Sequence, residues 1–268
     1  MKQVELVGIL NVTPDSFSDG GKYEQAARAI AHAEALFAEG ASLVDVGAES
    51  TNPRSKTITI DREWQRLEPV LAALLPARPD QISIDTYHPE IVERAVAQFG
   101  KQFIVNDVTG MNNPAMRQVV ARHGLRCIVS HLPAQFGTDI QAAHHDATMD
   151  DEKAVLAELQ TRRVQLIELG LPAERIILDP GIGFGKTMAL NRRLLEFPRL
   201  APGTKVMIGY SRKRFLGEHR FALEPNLAAA DVAVAAGASY LRVHDVQGHY
   251  QHLFRDTKPG ITPSPRAN

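Results

Sequence analysis

Short apolar runs recur along the chain, and polar, helix-forming stretches separate them. Eight runs stand out: 5–10 (ELVGIL), 42–47 (SLVDVG), 81–85 (QISID), 102–107 (QFIVND), 126–131 (RCIVSH), 175–179 (RIILD), 205–209 (KVMIG) and 239–245 (SYLRVHD). Each is too short for a helix and rich in Val, Ile or Leu, the composition of a strand covered on both faces. Between them, residues 24–39 are Ala-rich with apolar positions about every three to four, and Gly40 ends that pattern. Residues 61–75, 89–99, 114–123, 151–169, 188–200, 227–236 and 246–256 carry the same helical spacing, weakest in the last. Pro89 and Pro114 stand where proline suits a helix start.

Strand and helix in alternation predict a parallel sheet. A doubly wound open sheet would satisfy the same alternation. Eight repeats in a chain of 268 residues instead match an α/β fold of the (β/α)₈ type, a TIM barrel, as one domain over residues 1–256. The Pro-rich, polar stretch 257–268 is expected to fray. Residues 133–150 carry no assignable pattern.

Polar residues gather at the ends of the apolar runs. Run one ends at Asn11, run two holds Asp45 and leads to Glu49-Ser50-Thr51, and run three ends at Asp85. The next three end at Asn106-Asp107, His131 and Asp179; run seven leads to Ser211-Arg212-Lys213, and run eight carries Arg242, His244 and Asp245. In a barrel these ends share one rim, and the active site lies there. Asp85, Asn106 and Asp179 offer two carboxylates and an amide, which suit a flat heterocycle with adjacent N–H donors. Lys213, Arg242 and His244 suit a phosphate or pyrophosphate. Together they suggest a heterocycle that carries an anionic leaving group.

Composition narrows the classes. A formal net charge of -1 argues against a general nucleic-acid surface, though not against a local basic pocket. The one cysteine, Cys127, excludes an internal disulfide and a paired-cysteine metal site, and is read as core of strand five. No leader peptide or membrane-length apolar run is recognised, so a soluble cytoplasmic protein without a membrane partner is expected. GIGFGKT (181–187) imitates a phosphate-binding loop, but Pro180 stands where that loop needs its first glycine. His249 and His252 are read as surface histidines, and His144-His145-Asp146 as an exposed loop.

Five stretches carry a resemblance: GILNVTPDSFSDGG (8–21), VDVGAEST (44–51), DPGIGFGK (179–186), GYSRKRFLG (209–217) and RVHD (242–245). In this order, from about residue 5 to 250, the chain resembles the dihydropteroate synthase family. The resemblance implies a TIM barrel, a homodimer, and a transferase of folate biosynthesis that sulfonamides target. The implied reaction condenses 6-hydroxymethyl-7,8-dihydropterin pyrophosphate with 4-aminobenzoate, giving dihydropteroate and pyrophosphate. By the same resemblance Asp85, Asn106, Asp179 and Lys213 hold the pterin. Asn11, Arg242 and His244 sit at the pyrophosphate, with Mg²⁺ held through Asn11. Thr51, Pro53, Phe17, Phe184 and Ser211 lie near the aminobenzoate or the loops covering it. Asn11, Lys213, Arg242 and His244 are the implied catalytic set. Segment 11–22 would then be a lid, with loop 49–59 beside it.

Two places depart from the family pattern. The second loop reads STNPRSK, so Asn52 replaces the usual arginine and Arg54 follows two residues later; either Arg54 takes over the same anion or the loop grips less. After strand five the usual Met-His-Met is Ser130-His131-Leu132. A pterin-dependent methyltransferase and a non-catalytic pterin-binding paralogue are the alternative functions. The first has no use for Asn11 with Mg²⁺ or for the Arg242/His244 pair; Asn52 alone favours the second.

Overall fold

The computed structural model describes residues 4–12, 22–49, 57–145 and 149–254. Its strands are β1 (Glu5–Asn11), β2 (Leu43–Gly47), β3 (Ile82–Asp85), β4 (Ile104–Asp107), β5 (Arg126–Ser130), β6 (Ile176–Asp179), β7 (Lys205–Ile208) and β8 (Tyr240–Val243). They pair in parallel, each with the next, and β8 returns to β1 to close the barrel. The helices are α1 (Lys22–Ala38), α2 (Ile60–Ala77), α3 (Pro89–Phe99), α4 (Pro114–His123), α5 (Ile140–His145), α6 (Glu152–Glu168), α7 (Met188–Arg193), α8 (Leu223–Ala235) and α9 (Val246–Leu253). The TIM barrel expected from the alternation is therefore the fold, with all eight strands where the apolar runs lie.

Local chemistry explains the boundaries. Asn113 accepts the N–H of Ala115 ahead of Pro114, and Thr59 and Asp151 cap α2 and α6 in the same way. The run read as one helix over 188–200 splits into α7 and a 3₁₀ segment, Leu194–Leu200. Pro198 has no N–H to continue an α-helix there. Within 133–150 lie a 3₁₀ turn at Ala134–Phe136 and α5, both too short to show a helical period.

Side chains alternate along a strand, so register sorts them into layers. Val7, Leu43, Ile104, Ile128, Ile177, Met207 and Tyr240 point inward and form a buried apolar plug that closes the barrel floor. Two residues further along the same strands come Asp45, Asn106, Ser130, Asp179, Gly209 and Arg242, with Ser83 from β3. The outward residues, among them Leu6, Val44, Ile82, Val105 and Cys127, pack under the helices. Cys127 is thus core, as read.

Candidate active site

A cleft of about 890 Å³ opens over the C-terminal ends of the strands. It brings together Asn11, Asp85, Phe184, Ser211, Lys213, Arg242 and His244 from distant stretches of the chain. Asn106 and Asp179 lie deeper, 4% and 5% exposed, in the polar layer directly above the apolar plug. All nine were singled out from the sequence. Asp107, next to Asn106, faces outward instead and accepts the Thr109 and Met111 N–H groups, shaping the turn after β4.

Asp45 organises the polar layer. It is fully buried. Its Oδ1 accepts the Ser83 hydroxyl. Its Oδ2 accepts both the Asn106 Nδ2 amide at 2.9 Å and Arg242 Nε at 2.6 Å. Arg242 Nη2 reaches on to Asp85 Oδ2 at 2.9 Å, so one guanidinium spans two carboxylates. With its NH₂ spent on Asp45, Asn106 leaves Oδ1 buried and without a partner among the described residues. A buried acceptor of that kind is costly unless a ligand donor meets it.

Burial and the nearby Asp45 charge push the Asp85 carboxyl up to about 7. Burial raises Asp179 as well; its Oδ1 accepts the Gly181 N–H at 2.7 Å. Burial pushes the Lys213 ammonium down to about 8. Lys213 donates to the Ile182 carbonyl and lies 5.1 Å over the Phe184 ring. Burial, then Arg212, Arg242 and Lys213, push His244 down to about 3, so its imidazole is neutral near pH 7. Its Nδ1 lies 3.0 Å from Ser211 Oγ, which also takes the His244 backbone N–H.

The loop after β6 is built on glycine. Gly181 has φ +61°, and a Cβ there would sit 2.0 Å from the His131 carbonyl oxygen. Lys186, 3% exposed, donates to the carbonyls of His131 at 3.1 Å, Gly181 at 2.9 Å and Phe184 at 2.9 Å. The lysine of the phosphate-loop lookalike thus holds backbone rather than phosphate. Burial pushes it well below its usual pKa. His131 itself turns to α6, with Nε2 3.3 Å from Glu158, and does not line the cleft.

A scan against family models matches residues 7–244 to the pterin binding enzyme family. A dihydropteroate synthase of Escherichia coli K12 is 35% identical over 251 residues, covering 90% of this chain and 86% of that protein. The chain belongs to the dihydropteroate synthase family. The folate synthesis bifunctional protein of Chlamydia muridarum is 36% identical over 93% of this chain, which spans only 58% of that longer protein. Among solved structures, the Xanthomonas albilineans dihydropteroate synthase with 4-aminobenzoic acid superposes with a TM-score of 0.81 at 35% identity, covering 94% of this chain and 91% of that one. The same enzyme in complex with 7,8-dihydropteroate gives 0.78 at 34% identity, covering 94% and 92%.

For this member of the dihydropteroate synthase family, Phe17, Thr51, Asn52, Pro53 and Arg54 lie outside the described residues, as do 13–21 of the segment 11–22 expected to be a lid and the tail 257–268. Asn11 ends β1 exposed on the cleft, where it offers one amide oxygen. Among the described residues, Glu49, Glu63 and His88 are the one group of three acidic or histidine side chains with ligand atoms within 4.8 Å of one another. His88 Nδ1 and Glu63 already pair there at 2.7 Å. His249, read as a surface histidine, is fully buried, its Nδ1 against the Asp245 carbonyl oxygen at 2.6 Å. The helical spacing that pairs it with His252 does not say which face of α9 packs on the barrel. His252 lies near the surface and pairs with Asp231 at 2.8 Å. Asp45 and Lys186 were missed as site-building residues. Asp45 had a signal: a lone carboxylate inside an apolar run is costly to bury without partners.

Proposed function

We propose that the chain is a dihydropteroate synthase, condensing 6-hydroxymethyl-7,8-dihydropterin pyrophosphate with 4-aminobenzoate. The observation that carries this reading is the buried Oδ1 of Asn106, without a partner among the described residues, an acceptor in the layer that also holds Asp179 and in register with Asp85. Three acceptors at the barrel floor suit the N–H-rich edge of a pterin, and Lys213 supplies a donor to its ring acceptors. Arg242, in the same layer, and the neutral imidazole of His244 would meet the departing pyrophosphate as it gathers charge. Asn11 brings one hard oxygen to the cleft mouth. That fits Mg²⁺, which keeps its waters and takes phosphate oxygens as well. When bound, the ion neutralises charge on the leaving group. Phe184 and Ser211, on the outer wall, would flank the arylamine. The arylamine is already neutral at pH 7, so it needs no strong base to attack the methylene carbon. Dimerisation, sulfonamide binding and a cytoplasmic setting belong to the same reading; no described helix is long and apolar enough to cross a membrane.

The test is direct. Purified protein is mixed with the pterin pyrophosphate and Mg²⁺, and dihydropteroate and pyrophosphate are followed with and without 4-aminobenzoate. Dihydropteroate that forms only with aminobenzoate is the expected result. Tight pterin binding with no product would overturn the reading in favour of a non-catalytic pterin-binding paralogue.

A further inference from the structure

We propose that Asp45, which need not touch substrate, is the positioning residue that sets both halves of the site: it orients the Asn106 amide and holds Arg242 for transfer from Asp85 to the substrate's anion. The inference rests on the pterin reading above.

Asp45 Oδ2 takes an N–H from each of these two residues, while the Ser83 hydroxyl fixes Oδ1. An amide has one NH₂ and one carbonyl, and rotating it by half a turn exchanges them. A carboxylate can only accept, so Asp45 admits a single orientation of Asn106. The carbonyl is turned away from Asp45, where it is buried and has no partner among the described residues. Without that charge the amide could turn over and present a donor to a ligand edge that is itself made of donors.

The second half concerns Arg242. Its Nε is held by Asp45 and its Nη2 by Asp85, so the guanidinium is bound at both ends. Asp85 lines the cleft, whereas Asp45 is sealed beneath it. A heterocycle donating to both Asp85 oxygens competes with Nη2 for Oδ2. Nη2 is then released while Nε stays anchored on Asp45, and the released end can turn to an anionic substituent of that heterocycle. Occupation of the heterocycle position thus releases the donor that the pyrophosphate needs.

The measurement is calorimetric titration with two probes, 6-hydroxymethyl-7,8-dihydropterin and its pyrophosphate, on wild type, Asp45→Asn, Asn106→Ala and the double variant. The alcohol reports the Asn106 half. The extra affinity conferred by the pyrophosphate reports the Arg242 half. Asp45→Asn is expected to weaken the alcohol by about tenfold or more, the size of a charged hydrogen bond, and to shrink the pyrophosphate advantage as well. In the Asn106→Ala background it should weaken the alcohol no further. Alcohol affinity within about twofold of wild type, or losses that simply add, would overturn the proposal. Should Asp45→Asn not fold, Ser83→Ala loosens Asp45 without stranding a charge and enters the same cycle, with the same non-additivity expected. A wild type that binds neither probe would overturn the pterin reading itself, and this inference with it.

Discussion

At the scale of single residues, the site is a set of groups held away from their usual protonation. Asp85 keeps its charge only above about 7 and Lys213 only below about 8. The carboxylate is the better acceptor and the ammonium the better donor, so pterin affinity should rise with pH through 7 and fall through 8. Titration from pH 6 to 9 should therefore trace a narrow bell, and Asp85→Asn should abolish its acid limb. A flat profile would mean that neither group contacts the ligand. The same Asp85→Asn variant should cost about 1.5–3 kcal/mol of pterin binding at pH 8, one charged hydrogen bond. Unchanged affinity would remove Asp85 from the contact set. Asp85 was visible as a polar residue closing an apolar run; its Arg242 partner, 157 residues away, was not.

At the scale of elements, the loops after β6 and β7 are where backbone space decides function. Gly209 is followed by the loop carrying Ser211 and Lys213, and a Cβ there would meet Asp179 Oδ2 at an ordinary 3.4 Å. Gly209→Ala should fold with a melting temperature close to wild type, yet bind pterin several-fold more weakly because the methyl enters the cleft. Gly181→Ala differs, since it combines positive φ with the clash at the His131 carbonyl. It should lose more than about 2 kcal/mol of stability, seen as a clearly lower unfolding midpoint. The strands were legible because each is short, β-branched and flanked by turn residues. The short helix α5 and the 3₁₀ turn at Ala134–Phe136 were not, because fewer than two turns cannot display a helical period. Asp45, Ser83 and Asn106 meet through barrel register, a property of closure rather than of any one run, so the hub they form had to be seen in three dimensions.

At the scale of the whole molecule, some apolar surface remains open. Val164 and Ile167 on α6, Leu200 on the neighbouring 3₁₀ segment and Val232 on α8 are each more than a third exposed. These elements pack side by side. If the chain is a dimer, this face is the natural place for a second copy. Light scattering should then give twice the chain mass, and Val164→Glu with Val232→Glu should give a folded monomer. An unchanged mass would place the contact elsewhere. The barrel floor carries a different consequence. Seven side chains plug it, so among the described residues the pocket does not open through the floor. In the function proposed above the pterin takes the inner end and the arylamine the mouth, so the second guest would seal in the first. Arrival is then compulsory in one order, and an arylamine mimic can only enter behind a pterin already seated. Such a mimic should inhibit uncompetitively with respect to the pterin substrate, growing more potent as that substrate accumulates.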